Sequence, residues 1–585
     1  MLGDLVMHCA DQAQWLSFSN PIEIITARSA NAVLPALHQI EETVQTERCY
    51  AAGYIAYEAA PAFDEALRVH SSVSALPLLW VALYRAAQPI ELPPPVASAY
   101  TLGTWRPSVT WDEYERAIMI IKDHIAAGRT YQVNYTYRLR ASFQGDPWSL
   151  FLSLAQQQTR YAAYLDLGRF AICSASPELF FQLNNPTLTA RPMKGTAPRG
   201  KTLQADRAAG EWLHHSEKNR AENVMIVDMI RNDLGRIAAV GTVQVPRLFE
   251  VECYPTVLQM TSTVTAQSTG SLAQLMTALF PCASITGAPK VSTMQIIAEL
   301  EPTPRGIYTG CIGYLAPDRT AQFNVAIRTT TIDRATACAE YGVGSGIVWD
   351  SDAADEYREC EIKTRVLTAQ PLEFDLLEAL LWTPTAGYFL LARHLARLRD
   401  SAAYFDRPLN ETALREQLAT VSHSLPPADH KVRVTLSREG MFTVTATPLS
   451  CIARAPVQRV ALAPQPVDAD DVFLYHKTSR RAVYDAARAV LPECDDVLLW
   501  NTRGELTESC TANLVIDLDG ELITPPITCG LLGGTLRAEL LAQQRLVERV
   551  IPIALLGAAR QIFLINSVRK WLTAELIDAG KETAC

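Results

Sequence analysis

At 585 residues the chain is far longer than one hydrophobic core usually supports, so two or more domains are expected. Hydrophobic residues make up 49% and charged residues 19%, a balance that excludes a disordered or fibrous chain. A formal charge of −10 excludes the broad cationic field that nucleic acid or an anionic membrane requires, which leaves small-molecule chemistry.

The start, MLGDLVMHCADQAQWL, carries Asp4 and lacks the basic segment and long apolar run of a signal peptide. No uninterrupted apolar stretch reaches membrane-spanning length. The thirteen cysteines are scattered, with no CxxC pair and no metal-ligand spacing, as fits a reducing cytoplasm. None sits in the Gly-x-Cys-x-Gly elbow of a cysteine-type glutaminase, so any ammonia comes from elsewhere.

In chain order, the proline-rich stretch 88–100 forbids helix and central strand, and sets off a starting lobe, 1–100. From 110 to 368, strand-like runs such as AAYLDL and FNVAIRTT alternate with helical ones such as AENVMIVDMIRNDL, without the βαβ rhythm of a parallel sheet; the fold class is α+β. Five segments here carry groups suited to chemistry on a dicarboxylate: YQVN (131–134), SPELF (176–180), RPMKGTAPRG (191–200), SITGAPK (284–290) and DEYRE (355–359). Lys194 lies in a Gly- and Pro-bounded loop, ordinarily a solvated place, but Arg191 and Arg199 are close in sequence, and neighbouring cations favour a neutral, nucleophilic amine. Glu178 after Ser-Pro commonly marks a helix start. Gly287 and Ala288 precede Pro289, a first-turn residue, so free N–H groups there would seat a carboxylate. Arg328 alternates with Phe323, Val325 and Ile327 along a strand and so faces a pocket rather than the core.

Together and in this order, the five segments resemble the chorismate-utilising enzymes over most of residues 1–368, whose chorismate-binding domain is an antiparallel β-sandwich wrapped by helices. In the 4-amino-4-deoxychorismate synthases of that family, the lysine matching Lys194 is the nucleophile at ring position C2, whereas anthranilate synthases have no amine there. Isochorismate and salicylate synthases place a lysine where this chain has Gln132. The resemblance makes Glu178 the general acid for the departing 4-hydroxyl, and Tyr308 with Arg328 the grip on the pyruvyl carboxylate. It brings Gly344, Ser345 and Gly346 close to substrate, and implies Mg2+ held by Glu222, Glu356 and Glu359. The last two, three residues apart in a helical segment, share a face. Asn219, one turn before Glu222, departs from the acid that relatives carry.

A second boundary is expected at 367–373, followed by hairpin signals such as Asp519-Gly520 between apolar runs. In residues 374–585, HLARL (394–398), YHKTSRRAVYDAAR (475–488), LTESCTANL (506–514) and GLLGGTLR (530–537) resemble the class IV pyridoxal-phosphate enzymes, which are two-lobed. The resemblance makes Lys477 the Schiff-base lysine and Glu508 the partner of the pyridine nitrogen. Gly534 and Thr535, with Gly533, form the phosphate seat at a helix start, with Arg397 adding charge. Ala379 sits about where lyases of this family have a threonine. Such enzymes are commonly dimers.

Joined, the two resemblances imply synthesis of 4-aminobenzoate from chorismate, with a separate glutaminase subunit supplying ammonia. The rival readings are an anthranilate synthase first half, an amino-acid aminotransferase second half, and a degenerate partner of the glutaminase.

Overall fold

The computed structural model describes residues 3–577 apart from 71–74, 95, 97–98, 158–159, 365–366, 368–372 and 450–456. The chain forms two compact units, Met1–Pro198 with Gly210–Pro371, and Arg199–Ala209 with Leu372–Cys585. The expected boundary at 367–373 lies outside the described residues but for positions 367 and 373.

The first unit is built on two large sheets, one of 11 and one of 10 strands among the described residues, and every strand pairing in them is antiparallel. Their facing sides share one core, in which Phe18 of one sheet packs against Tyr84 and Tyr314 of the other. Their outer sides are covered by helices. One is Trp111–Ala126, whose Thr110 and Glu113 form a capping box and whose buried Tyr114, Ala117, Ile118 and Ile121 recur at helical spacing. This is the expected sandwich wrapped by helices, in an α+β fold.

The first hundred residues are not a separate lobe, which corrects the boundary drawn at 1–100. Leu5–Cys9 pairs with Ala163–Asp166 in one sheet and Tyr50–Ile55 pairs with Cys311–Leu315 in the other. Leu5, Phe18, Tyr54 and Tyr84 are spent on the core between the sheets, so these residues have no core of their own. Among its described residues the proline-rich stretch contributes a short edge strand, Gln88–Ile90, and the first residue of the strand Tyr100–Leu102, as proline's missing donor requires.

The second unit has two lobes. Among the described residues a four-stranded antiparallel sheet is covered by the helices Leu391–Tyr404 and Glu411–Ser424. A second sheet, mixed and of eight strands among the described residues, includes the parallel pairs Val457–Leu462 with Asp496–Trp500 and with Lys570–Leu576. Asp519 and Gly520 both have positive φ and join Asn513–Leu518 to Glu521–Thr524 as the expected two-residue hairpin. Segment 199–209, expected within 1–368, belongs to this unit: Arg199 stacks 4.4 Å from the Tyr404 ring and donates to its carbonyl at 3.0 Å, and Lys201 donates to Ala469 O at 2.9 Å.

Candidate active sites

A cavity of about 410 Å³ in the first unit brings together Glu178, Lys194, Asn219, Glu222, Tyr308, Arg328, Gly344, Gly346, Glu356 and Glu359. Ser-Pro-Glu does not start a helix here; Glu178 leads into the strand Leu179–Asn184 and is 3% exposed. Ser284 Oγ donates to its Oε1 at 2.6 Å. Burial pushes the Glu178 carboxyl up to about 7, outweighing the Ser284 and Met193 hydrogen bonds and the Lys194 charge.

Lys194 lies on the strand Met193–Pro198, and its carbonyl accepts from Asn223 Nδ2 at 3.2 Å. Asn223 is held in turn by Ser262 Oγ at 2.6 Å. Helix Glu217–Gly235, capped by Ser216, presents Asn219, Glu222 and Asn223 on one face. The two arginines expected to press on Lys194 are turned elsewhere, because each has a carboxylate of its own: Arg191 pairs with Glu252, and Arg199 with Asp206 at 2.7 Å. Lys194 Nζ instead pairs with Glu222, at 3.7 Å.

Gln132 is fully buried with neither amide atom hydrogen-bonded. A Cβ added to Gly346 would stand 2.5 Å from Lys194 Nζ and 2.7 Å from Gln132 Nε2, so the glycine is what lets amine and amide meet. Arg328 does not ride on a strand as expected. The strand Ala321–Val325 ends first, the chain crosses to the other sheet, and Arg328, at φ +50, sits in the crossing and lines the cavity. Gly287 and Ala288 do not line it. They pair with Val133 and Gln132 and back the Gln132 strand, so the carboxylate seat expected at these two residues is not formed; Ser284 and Ile285 of the same motif reach the cavity instead.

Glu356 and Glu359 share one face of the helix Ala353–Thr364. Glu356 accepts from Ser351 Oγ at 2.7 Å and Glu359 pairs with Lys363 at 2.7 Å. With Glu222 they give the cavity the hard oxygen donors that suit magnesium, although among the described residues no three side chains converge as a formed metal site.

A second cavity, of about 580 Å³, lies in the second unit and is lined by Ala379, Arg397, Lys477, Glu508, Gly534 and Thr535 among others. Lys477 follows the short turn Val472–Leu474 rather than heading a helix, and its carbonyl accepts from Leu377 N at 2.8 Å. Burial and the Arg397 charge lower its amine to about 8. Glu508 is 5% exposed and accepts from Tyr484 Oη at 2.9 Å, Leu532 N at 3.2 Å and Asn513 Nδ2 at 3.2 Å. Burial raises its carboxyl to about 7.

Gly534 caps the helix Thr535–Ala542, and a Cβ there would overlap Asn513 Oδ1. Arg397 holds Glu378 through two hydrogen bonds of 2.8 Å and donates to Gly533 O at 3.2 Å. His394 bridges Glu378 (2.6 Å) and Thr535 (3.3 Å). Burial alone would raise the Glu378 carboxyl, but Arg397 and His394 prevail and hold it at about 2. Lys477, Glu508, and the Gly534 N–H with Arg397 and Thr535 thus offer an amine, a carboxyl and an anion seat in one cavity, a donor set that fits pyridoxal phosphate.

Sequence reasoning missed Asn223, Ser262, Lys363 and Glu378. Glu378 alone left a signal: an acid inside the apolar run LLEALL must be paired to be buried.

Residues 4–369 match the family described as chorismate binding enzyme, and residues 375–577 match amino-transferase class IV. The chain is 42% identical over 269 residues to aminodeoxychorismate synthase component 1 of Klebsiella aerogenes, covering 45% of this chain and 59% of that protein. It is 38% identical over 290 residues to the protein of the same name from Bacillus subtilis, covering 49% and 60%. The chain thus spans about three-fifths of the length of these curated relatives. Anthranilate synthase component I from Streptococcus pneumoniae superposes with a TM-score of 0.53 at 23% identity over 63% of this chain and 92% of its own, a likeness of fold.

Proposed function

The chain belongs to the chorismate binding enzymes, and from that premise we propose that it makes 4-aminobenzoate in two steps. The first unit aminates chorismate to 4-amino-4-deoxychorismate, using ammonia from a separate glutaminase subunit. The second expels pyruvate with pyridoxal phosphate to leave 4-aminobenzoate. The observation that carries this reading is Lys194 and Glu178 in one cavity, the carboxyl poised at about 7.

In the first step Lys194 Nζ attacks C2 of the ring as Glu178 gives its proton to the departing 4-hydroxyl. Ammonia then enters at C4 and the lysine leaves C2. Tyr308 and Arg328 take the pyruvyl carboxylate, with Gly344 allowing close backbone approach. Gln132 cannot act as a base for water, which steers the site away from hydroxylation. Glu222, Glu356 and Glu359 are the residues that would hold magnesium, whose charge neutralises a substrate carboxylate.

In the second step bound pyridoxal phosphate supplies an electron sink beside the substrate nitrogen. Lys477 would hold it covalently, Glu508 would face its pyridine nitrogen, and Arg397, Gly534 and Thr535 would take its phosphate. With its amine at about 8, Lys477 can both accept and return a proton near neutral pH. The product of the first unit is the substrate of the second, which gives the fusion its logic. Ala379 lines the second cavity and offers no hydroxyl at its own position, a departure that bears on the rate of the lyase step and not on cofactor binding.

Purified protein incubated with chorismate, magnesium, ammonium and pyridoxal phosphate should yield 4-aminobenzoate and pyruvate, identified by mass and fluorescence. Anthranilate instead would overturn the first assignment. Accumulation of 4-amino-4-deoxychorismate would overturn the second.

A further inference from the structure

Among the described residues lining the second cavity, seven are cationic and four acidic. The cofactor reading uses Lys477 and Arg397, and Arg397 is already bound to Glu378. Of the other five, Arg481 donates to Cys510 O and Arg488 to Asp495 O, which leaves Lys431, Arg433 and Arg569 unexplained.

Their placement follows from the strands. On His430–Leu436 the residues Val432, Val434 and Leu436 are buried in the lobe's core, so Lys431 and Arg433 point the other way, into the cavity. Across the ladder they face Leu381 and Ala379, and the short side chain of Ala379 leaves the space beside Arg433 open. Arg569 comes from the other lobe on a turn fixed by Asn566, whose Oδ1 accepts the N–H groups of Val568 at 3.1 Å and Arg569 at 2.8 Å. Among the described residues none of the three side chains makes a hydrogen bond or ion pair, yet they stand near enough that Arg433 and Arg569, after burial, depress the Lys431 amine. A like-charged cluster held without a counter-ion at a cavity wall is an anion site.

The phosphate has its own seat at Gly534, Thr535 and Arg397, and an ordinary amino acid brings one carboxylate, for which one arginine suffices. The geometry points to Lys431, Arg433 and Arg569 as a specificity-determining rim that receives a substrate carrying two carboxylates and rejects monocarboxylate amines. The inference rests on the second-step reading above.

The test uses the full chain loaded with pyridoxal phosphate and the double variant Lys431→Met/Arg433→Met. For pyruvate release from 4-amino-4-deoxychorismate, KM should rise about tenfold or more while kcat stays within about threefold, the loss of one or more charged contacts to bound substrate. Arg433→Lys should restore most of the affinity. As a readout independent of turnover, isophthalate, an unreactive aromatic dicarboxylate, should perturb the cofactor's visible absorbance in the parent protein and about tenfold less tightly in the variant. Benzoate, with one carboxylate, should bind weakly and alike in both. A KM shift below about twofold, or equal losses for isophthalate and benzoate, overturns the rim. Were the parent protein to release no pyruvate, the second-step reading would fail, and isophthalate would still decide the rim: tight binding lost in the variant supports it, and no binding overturns it. Should the double variant fold poorly, Arg433→Glu at this exposed position is the second variant, and it should abolish isophthalate binding; unchanged binding overturns the rim.

Discussion

The two cavities use the same pair of residue types in different states. In the first, Lys194 lies 3.7 Å from Glu222, and the carboxyl poised at about 7, Glu178, is a separate group bonded to Ser284. In the second, Lys477 makes no ion pair among the described residues, its amine is lowered to about 8, and Glu508 at about 7 is ringed by neutral donors. The difference matches the tasks proposed for them. A lysine that attacks a dianionic ring directly can rest against a carboxylate until substrate displaces it. A lysine that holds a cofactor and shuttles protons must have its amine tuned in advance by the protein.

The largest expected effect tests whether these are two independent sites. Lys194→Ala should lower amination about 10^4-fold or more while leaving pyruvate release from supplied 4-amino-4-deoxychorismate intact. Lys477→Ala should do the reverse, so that 4-amino-4-deoxychorismate accumulates. Either variant losing both activities while still folded, judged by circular dichroism, breaks the comparison.

Glu178→Gln should cost about 10^3-fold in amination, and its signature lies in pH. The proposed acid must be protonated, so parent activity should fall as pH rises through about 7, and the variant should lose that limb. Stability of the parent should fall with rising pH as well. The folded carboxyl keeps its proton up to about 7 and the unfolded one only to about 4.5, so the folded state binds more protons between these values and loses stability as pH rises through that window. Replacing the carboxyl removes a burden of up to roughly 3 kcal/mol above pH 7. A variant that melts no higher than the parent at pH 8 contradicts the burial argument.

Backbone approach distinguishes the cavities again. Gly346→Ala would push a methyl against Lys194 and Gln132 and should lower amination about 10^2-fold without touching the second step. Gly534→Ala should instead weaken pyridoxal phosphate binding, read by titrating its absorbance, because the new methyl meets Asn513 Oδ1 beneath the proposed phosphate seat. Exchange of these two phenotypes would mean the glycines serve the opposite sites.

Much of this was legible in the sequence wherever a motif fixes a backbone shape. The Asp519-Gly520 hairpin and the start of a helix at Thr535 both follow from turn and cap chemistry. What depended on partners distant in sequence was not. The arginines beside Lys194 in sequence are drawn off by Glu252 and Asp206, and nothing local says so. Alternation puts Arg328 on a strand because it continues past the point where the chain changes sheets. A helix does start just after Pro289, but Gly287 and Ala288 pair with Val133 and Gln132 and so seat no carboxylate.

The smallest effect concerns the hydrogen bond that separates the two carboxyls most clearly. Glu178 keeps one strong side-chain donor, Ser284 at 2.6 Å, which stabilises the charged form and works against burial. Ser284→Ala removes that donor with little change of volume, so the Glu178 carboxyl should move further up. The alkaline limb of amination should shift upward by about half to one pH unit, with maximal rate changed only two- to threefold, since the bond is worth about 1 kcal/mol. Pyruvate release in the second unit should keep its own profile. If the limb stays in place while the rate falls, Ser284 acts on substrate rather than on Glu178, and the carboxyl is tuned by burial against Met193 and Lys194.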